Sequence, residues 1–347
     1  MALTNLLEQK RGLTGMRLEE LAGVLGSRAR ALETVRWLYA QPGLPAALPA
    51  SLPGVAPRAW SVLLEACELP EVEVRVRKQS ADGTTKYLLG LRGGAVETVL
   101  IPARGRSTVC VSSQVGCTRN CGFCATATLG FSRNLRASEM VAQYLVARAD
   151  ARPEAPARNV VFMGQGEPMD NLDEVLTAVE VLTQSPAPQL AAHQITVSTS
   201  GVLPGIERFL KECKASLALS LNGSTNEARG ALMVQTKTWP IERIMEVLRA
   251  DRLLHPRRVH FIEYVLFEGV NDADGDVDRV VAHLAGVNAR VNLIPHNPFA
   301  GNPLRPPSRA RIVAFQARMV AAGVQCLVRW PRGREIGAAC GQLALSA

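Results

Sequence analysis

No apolar run in this chain is long enough to cross a bilayer, and its opening stretch, MALTNLLEQKRGLTGMRLEE, lacks the apolar core of a secretory signal. A cytoplasmic protein with no membrane association is therefore expected. Thiols stay reduced in that compartment, so the eight cysteines point to metal or catalysis before structural disulfides. A second close pair of cysteines is also missing. Cys117, Cys121 and Cys124 crowd into eight residues with no fourth beside them. Structural zinc commonly takes two close pairs, so a zinc site here is short of ligands unless Cys110 is recruited. Acidic residues are outnumbered 31 to 39 by Lys and Arg, and the net charge of +8 fits a polyanionic partner such as nucleic acid. With 347 residues the chain can bury a large core and form one big domain plus a small one, or two medium ones.

The first 40 residues carry apolar side chains at helical spacing in LEELAGVLG and RARALETVRWLYAQ. Five prolines then break residues 42–60, which read as loop and short turns. On either side of Asp82-Gly83, EVRVRKQSADGTTKYLLGL alternates apolar with polar residues, the pattern of a hairpin. From residue 107 onward, short apolar runs alternate with amphipathic ones such as IERIMEVL and DVDRVVAHL. This repetition predicts an α/β fold with a parallel sheet, in the form of a complete or partial TIM-type barrel whose chemistry sits at the C-terminal strand ends. The expected boundaries are a helical accessory domain over 1–70, a hairpin element over 71–106, and the barrel core with its C-terminal cysteine segment over 107–347.

Three thiolates suit an iron-sulfur cubane that keeps one iron open for catalysis. The spacing C-x3-C-x2-C of Cys117, Cys121 and Cys124, after a strand and before a helix, resembles the motif of radical-SAM enzymes. In that superfamily the open iron chelates S-adenosylmethionine, and one electron from the [4Fe-4S] cluster cleaves it to a 5′-deoxyadenosyl radical. The further stretches VETVLIP, CVSSQVGCTRNCGFCATATLGFSRNL, VVFMGQGEP, ITVSTSGVLPGI, NLIPHNPF and REIGAACGQL resemble, in order, the RlmN/Cfr family of radical-SAM RNA methyltransferases, with overall likeness favouring the RlmN branch.

The resemblance implies roles. Cys117, Cys121 and Cys124 hold the cluster. Cys340 is methylated by one S-adenosylmethionine and a second is spent on the radical, so two are used per turnover. The resulting protein-RNA thioether is resolved by Cys110, leaving a disulfide between the two, while Glu97 is the base that takes the adenine ring proton. Glu97 is flanked by apolar residues, which favour a raised pKa. Gly166 and Glu167, Ser198, the segment Ser220, Leu221 and Asn222, and Asn297 match the family's S-adenosylmethionine contacts, with the Glu167 carboxylate suited to a cationic amino group. Turn chemistry is the alternative for the Ser and Asn positions. Cys67, Cys213 and Cys326 read as inert core residues.

The implied substrates are adenines of 23S ribosomal RNA and, for the RlmN branch, transfer RNA, with carbon 2 as the target. The implied reductant is an electron donor such as flavodoxin or ferredoxin, and the expected state is a monomer. Carbon 8, as in the Cfr branch, is the first alternative, since both branches share the five cysteines. A divergent paralogue with another substrate is the second, and a zinc-stapled RNA-binding protein without activity the third. Two departures stand out: Asn222 where the family commonly has His, and Trp330-Pro331 where small polar or basic residues are usual. RNA contacts are expected from Arg28, Arg30, Arg36, Arg75, Arg77 and Lys78, with Arg58 and Trp60 on the proline-rich loop.

Overall fold

The computed structural model describes residues 10–345. A short strand β1 (Arg11–Gly12) precedes helices α1 (Leu18–Leu25), α2 (Arg28–Ala40) and α3 (Pro57–Ala66), and β2 (Cys67–Glu68) pairs with β1 in parallel. Leu21, Leu25, Val35, Leu38 and Leu63 are buried together, so each helix turns one apolar stripe inward. The proline-rich stretch is irregular only as far as Ala56. Pro57 opens α3 in its first turn, where a missing N–H leaves no hydrogen bond unmade. Trp60 is therefore a helical core residue, 1% exposed, with Nε1 donating to the Pro49 carbonyl at 2.8 Å. This corrects its expected place as an RNA contact on a loop; Arg58, on the same helix, is exposed.

Strands β3 (Val72–Gln79), β4 (Thr85–Leu91), β5 (Gly94–Ala103) and β6 (Arg106–Cys110) pair antiparallel in succession. A small ribbon of β7 (Gln114–Gly116) and β8 (Phe131–Asn134) follows, then helix α4 (Ala137–Arg148). The chain next alternates β9 (Ala157–Phe162), α5 (Leu172–Thr183), β10 (Ile195–Thr199), α6 (Leu203–Glu212) and β11 (Ser216–Ser220). After α7 (Asn226–Leu232) and α8 (Ile241–Leu254) come β12 (His260–Leu266), α9 (Asp274–Leu284), β13 (Ala289–Pro295), α10 (Arg309–Ala321) and β14 (Cys326–Val328). The main sheet has ten strands in the order β14-β13-β12-β11-β10-β9-β6-β5-β4-β3. From β6 to β14 every neighbouring pair is parallel and in sequence order, and the series ends at β14 without returning to β6. This is a partial βα barrel whose wall is extended by the antiparallel strands. No helix among the described residues is long and apolar enough to cross a membrane.

After β14 the chain crosses back over the C-terminal strand ends. Arg332 bonds the Pro102 carbonyl at 2.7 Å and the Asp82 carbonyl at 2.9 Å, which pins the segment to the hairpin side. Further on, Ala125 N–H donates to the Gly341 carbonyl at 2.8 Å and the Thr126 hydroxyl to the Leu343 carbonyl at 2.8 Å. The tail thus joins the cysteine loop to the antiparallel strands.

Candidate active site at the barrel mouth

Cys117, Cys121 and Cys124 lie on the loop between β7 and β8, all partly exposed and none in a disulfide. Cys117 N–H donates to the Gly130 carbonyl at 2.9 Å, Cys124 N–H to the Cys121 carbonyl at 3.1 Å, and Gly122 N–H to the Leu232 carbonyl of α7 at 3.0 Å. Burial pushes the thiols of Cys117 and Cys121 up to about 12; the negative charge of Cys124 adds to both, and that of Glu167 and Asp170 to Cys117. Iron binding at this loop must therefore displace protons. Among the described residues no three Cys, His, Asp or Glu side chains converge on a single-ion site. Three thiols on one loop are the donor set of a cubane, which takes one thiolate on each of three separate irons. Close by, buried polar atoms on the strand-end loops have no protein partner: Ser113 Oγ, Gln165 Nε2, His296 Nε2 and Asn297 Oδ1.

Cross-strand register places Val99 opposite Cys110, and Glu97, two residues earlier on β5, shares their face of the sheet. The Glu97 carboxylate is fully buried against the Lys86 ammonium at 2.8 Å, and its second oxygen accepts the Leu345 N–H at 3.0 Å. Lys86 sits diagonally across on β4 and points to the same face, so a carboxylate flanked by apolar residues in sequence has a cation beside it in space. Cys110 is buried in a small cluster with Val99, Ala338 and Leu343. Cys340 itself is exposed, although Ala338 and Ala339 beside it are buried. Its carbonyl accepts from Asn297 Nδ2 at 3.0 Å. Although the residue keeps a solvent-facing surface, the protein crowded around its thiol, then the Glu263 carboxylate, push that thiol up to about 11. Burial, then the charge of Cys340, push Cys110 up to about 12, and Ala338 and Leu343, on either side of Cys340, pack against Cys110.

The other expected contacts fall into two groups. Gly166, at φ 107°, packs so closely that a Cβ there would lie 2.6 Å from Ser113 Oγ and 2.7 Å from Gln114 N. Asn297 keeps one free amide oxygen, and Ser220 is half-buried at its strand end. By contrast, Glu167 is already committed: its carboxylate accepts from Met169 N at 3.1 Å, Ser200 N at 2.8 Å and Ser200 Oγ at 2.7 Å. It braces the ends of β9 and β10 against each other, and burial raises its pKa in spite of those bonds. Ser198 Oγ likewise donates to the Phe162 carbonyl at 2.8 Å. Leu221 is buried, with its N–H on the Glu263 carbonyl. Asn222 has a left-handed φ of 53°, which Asn tolerates, and its side chain accepts from Val265 N at 2.9 Å. Its amide ties the end of β11 to β12, a task that needs no titrating ring.

Three residues at the mouth went unnoticed in the sequence. Arg229 on α7 is fully buried and donates to the carbonyls of Leu221 at 3.0 Å and Ser200 at 2.5 Å and to Thr236 Oγ1 at 2.7 Å. Burial lowers its pKa to about 10, partly offset by Cys121. A Cβ on Gly201 would come within 2.6 Å of its guanidinium, so the slot depends on that glycine. Nothing in the TNEARGAL pattern marks such a residue. Lys86 and Glu263 are different, since each is a lone charge inside an apolar strand run. Glu263 accepts from Asn292 Nδ2 at 2.7 Å, Asn292 from Arg329 Nε at 2.9 Å, and burial pushes the Glu263 carboxyl up to about 7.

The arginines expected to meet RNA on the N-terminal side are mostly ion-paired: Arg28 with Glu19, Arg36 with Glu33, Arg75 with Glu73 and Arg77 with Asp150. Arg30 donates to the Leu25 carbonyl, and Lys78 is half-buried on β3. Cys67, Cys213 and Cys326 are buried.

Residues 111–281 match the radical SAM superfamily, whose cofactors are a [4Fe-4S] cluster and S-adenosylmethionine. The chain is 46% identical over 333 residues to a "Probable RNA methyltransferase" of Sorangium cellulosum, covering 93% of this chain and 83% of the relative. It is 44% identical over 288 residues to the "Dual-specificity RNA methyltransferase RlmN" of Syntrophobacter fumaroxidans, covering 82% and 84%. A crystal structure of a radical SAM methyltransferase from Sphaerobacter thermophilus superposes with a TM-score of 0.88 at 35% identity, covering 97% of this chain and all of that one. With its cysteine loop, its strand-end polar groups and these relatives, the chain belongs to the RlmN family of radical-SAM methyltransferases.

Proposed function

We propose that this protein methylates carbon 2 of an adenine in 23S ribosomal RNA, with transfer RNA as a second substrate. One observation supports this above the others: the tail carries Cys340 beside the cysteine loop and packs its neighbours Ala338 and Leu343 against Cys110, with Glu97 on the same sheet face as Cys110. Two thiols so placed suit transfer through a protein thioether. Carbon 2 of adenine is electron-poor and has no acidic proton, so polar transfer from a sulfonium finds no nucleophile there. When bound, the cluster supplies the electron that splits S-adenosylmethionine and opens a radical route.

Cys117, Cys121 and Cys124 hold the cluster in this reading, and Gly166, Ser220 and Asn297 offer the close backbone approach and polar atoms that S-adenosylmethionine needs. Glu167, Ser198, Leu221 and Asn222 shape the same pocket from behind. The methyl group on Cys340 gives one hydrogen atom to the 5′-deoxyadenosyl radical and its carbon bonds to carbon 2. The adduct then sheds one electron to the redox partner system and the ring proton to Glu97, leaving a thioether to the RNA. Lys86 beside Glu97 balances the carboxylate. Cys110 then attacks the sulfur of Cys340: the sulfur-sulfur bond forms, the sulfur-carbon bond breaks, and its electron pair stays with the RNA carbon, which is protonated to methyl. A one-electron donor of the flavodoxin or ferredoxin kind completes the system, and the protein acts as a monomer.

The test is to incubate Cys110→Ala and Cys340→Ala with RNA, S-adenosylmethionine and reductant without oxygen. The expected result is a covalent protein-RNA adduct on a denaturing gel for Cys110→Ala and none for Cys340→Ala. Normal turnover by either variant contradicts the two-thiol scheme.

A further inference from the structure

Trp330 stands immediately beyond the C-terminal end of β14, on the rim of the same mouth, and is 40% exposed. Its ring is not a stray surface apolar group. The Arg309 guanidinium carbon lies 4.5 Å from the ring centroid, so one face is already held by a cation while the residue stays open to solvent. Around it the charge is unspent. Arg305, Arg309 and Arg334 are exposed and have no carboxylate partner among the described residues, whereas Arg28, Arg36, Arg75 and Arg77 are all ion-paired. Carboxylates are not absent from the rim, but Glu335 accepts the Ala81 N–H and Glu268 forms no ion pair there. The segment is also tied to the site: Gln342 Nε2 donates to the Pro298 carbonyl at 3.0 Å, and Asn297 to Cys340.

We propose that this rim is the RNA-receiving face, with Trp330 stacking on an unpaired base that flanks the target and Arg305, Arg309 and Arg334 meeting the backbone phosphates. This rests on the RNA reading above and adds where and how the strand is gripped. An aromatic ring held by a guanidinium offers a flat, pre-positioned platform, and such stacking tolerates any base. The sulfur chemistry at Cys340 needs the target base splayed out of its stack, which leaves a neighbouring base in want of a partner.

The experiment measures affinity of the cluster-loaded protein for a labelled RNA hairpin with adenines in its loop, over a series of salt concentrations with every variant compared at the same ones. Visible absorption of the cluster confirms that each variant is folded and loaded. Trp330→Ala should weaken binding by about tenfold or more, and Trp330→Phe should keep it within about threefold of wild type. Arg309→Ala should weaken binding less and flatten its salt dependence. Equal affinity of wild type and Trp330→Ala overturns the inference, also where that variant is instead reduced more slowly by a protein electron donor. Failure of the wild type itself to bind RNA removes the RNA reading, and the rim with it, so the two failures are told apart.

Discussion

Lys86 and Glu97 form an ion pair with side chains 2% and 0% exposed. Taking two charges out of water is tolerable only while each has the other, so removing one is costly. Lys86→Met should destabilise the protein by roughly 3–5 kcal/mol, read from denaturant midpoints, because Glu97 is left charged and buried. Glu97→Gln should keep cluster absorption and lose RNA methylation. Glu263 follows a different logic. Its folded pKa, about 7, lies above the usual carboxylate value because of burial, so its contribution favours folding at low pH and is lost as pH rises toward 7. The stability of Glu263→Gln relative to wild type should therefore improve between pH 4 and pH 8, by roughly 3 kcal/mol at most. A flat difference across that range would show that Glu263 is not held in so dry a setting.

At the scale of elements, the strand ends are held together by side chains that sequence patterns do not announce. Arg229→Ala would strip donors from the carbonyls of Leu221 and Ser200 in one step and should destabilise by at least 3 kcal/mol or so, with Gly201 now facing an empty slot. Gly166→Ala should abolish cofactor cleavage with little loss of secondary structure, since a Cβ at φ 107° presses on Ser113 and Gln114. Strands and helices of the barrel were legible because short apolar runs such as HFIEYVL mark strands buried on both faces and the period-3.6 stripe of DGDVDRVVAHL marks a helix with one buried face. Helix α3 was not, because five prolines dominate its neighbourhood and only the last of them starts a helix. The β7-β8 ribbon also escaped, being too short to carry a pattern.

For the molecule as a whole, the cysteine spacing was readable because all three thiols sit on one loop. The approach of Cys110, Glu97 and Cys340 was readable only through resemblance, since it depends on a sheet register and on a tail pinned by Arg332 and Thr126. Lys86, Arg229 and Glu263 act through space across elements, and no local spacing encodes such partners. The same distance between sequence and site explains why Trp60, a plausible stacking residue by position, is core, while Trp330 is exposed at the mouth. These particulars meet in one chemical claim, methyl transfer to carbon 2 of adenine. The measurement that tests it most directly is nucleoside mass spectrometry, with 2-methyladenosine and 8-methyladenosine standards. It is applied to 23S ribosomal RNA and transfer RNA treated anaerobically with the cluster-loaded protein, reductant and S-adenosylmethionine. The expected product is 2-methyladenosine; 8-methyladenosine, or cofactor cleavage with no methylated adenine, would contradict methylation at carbon 2.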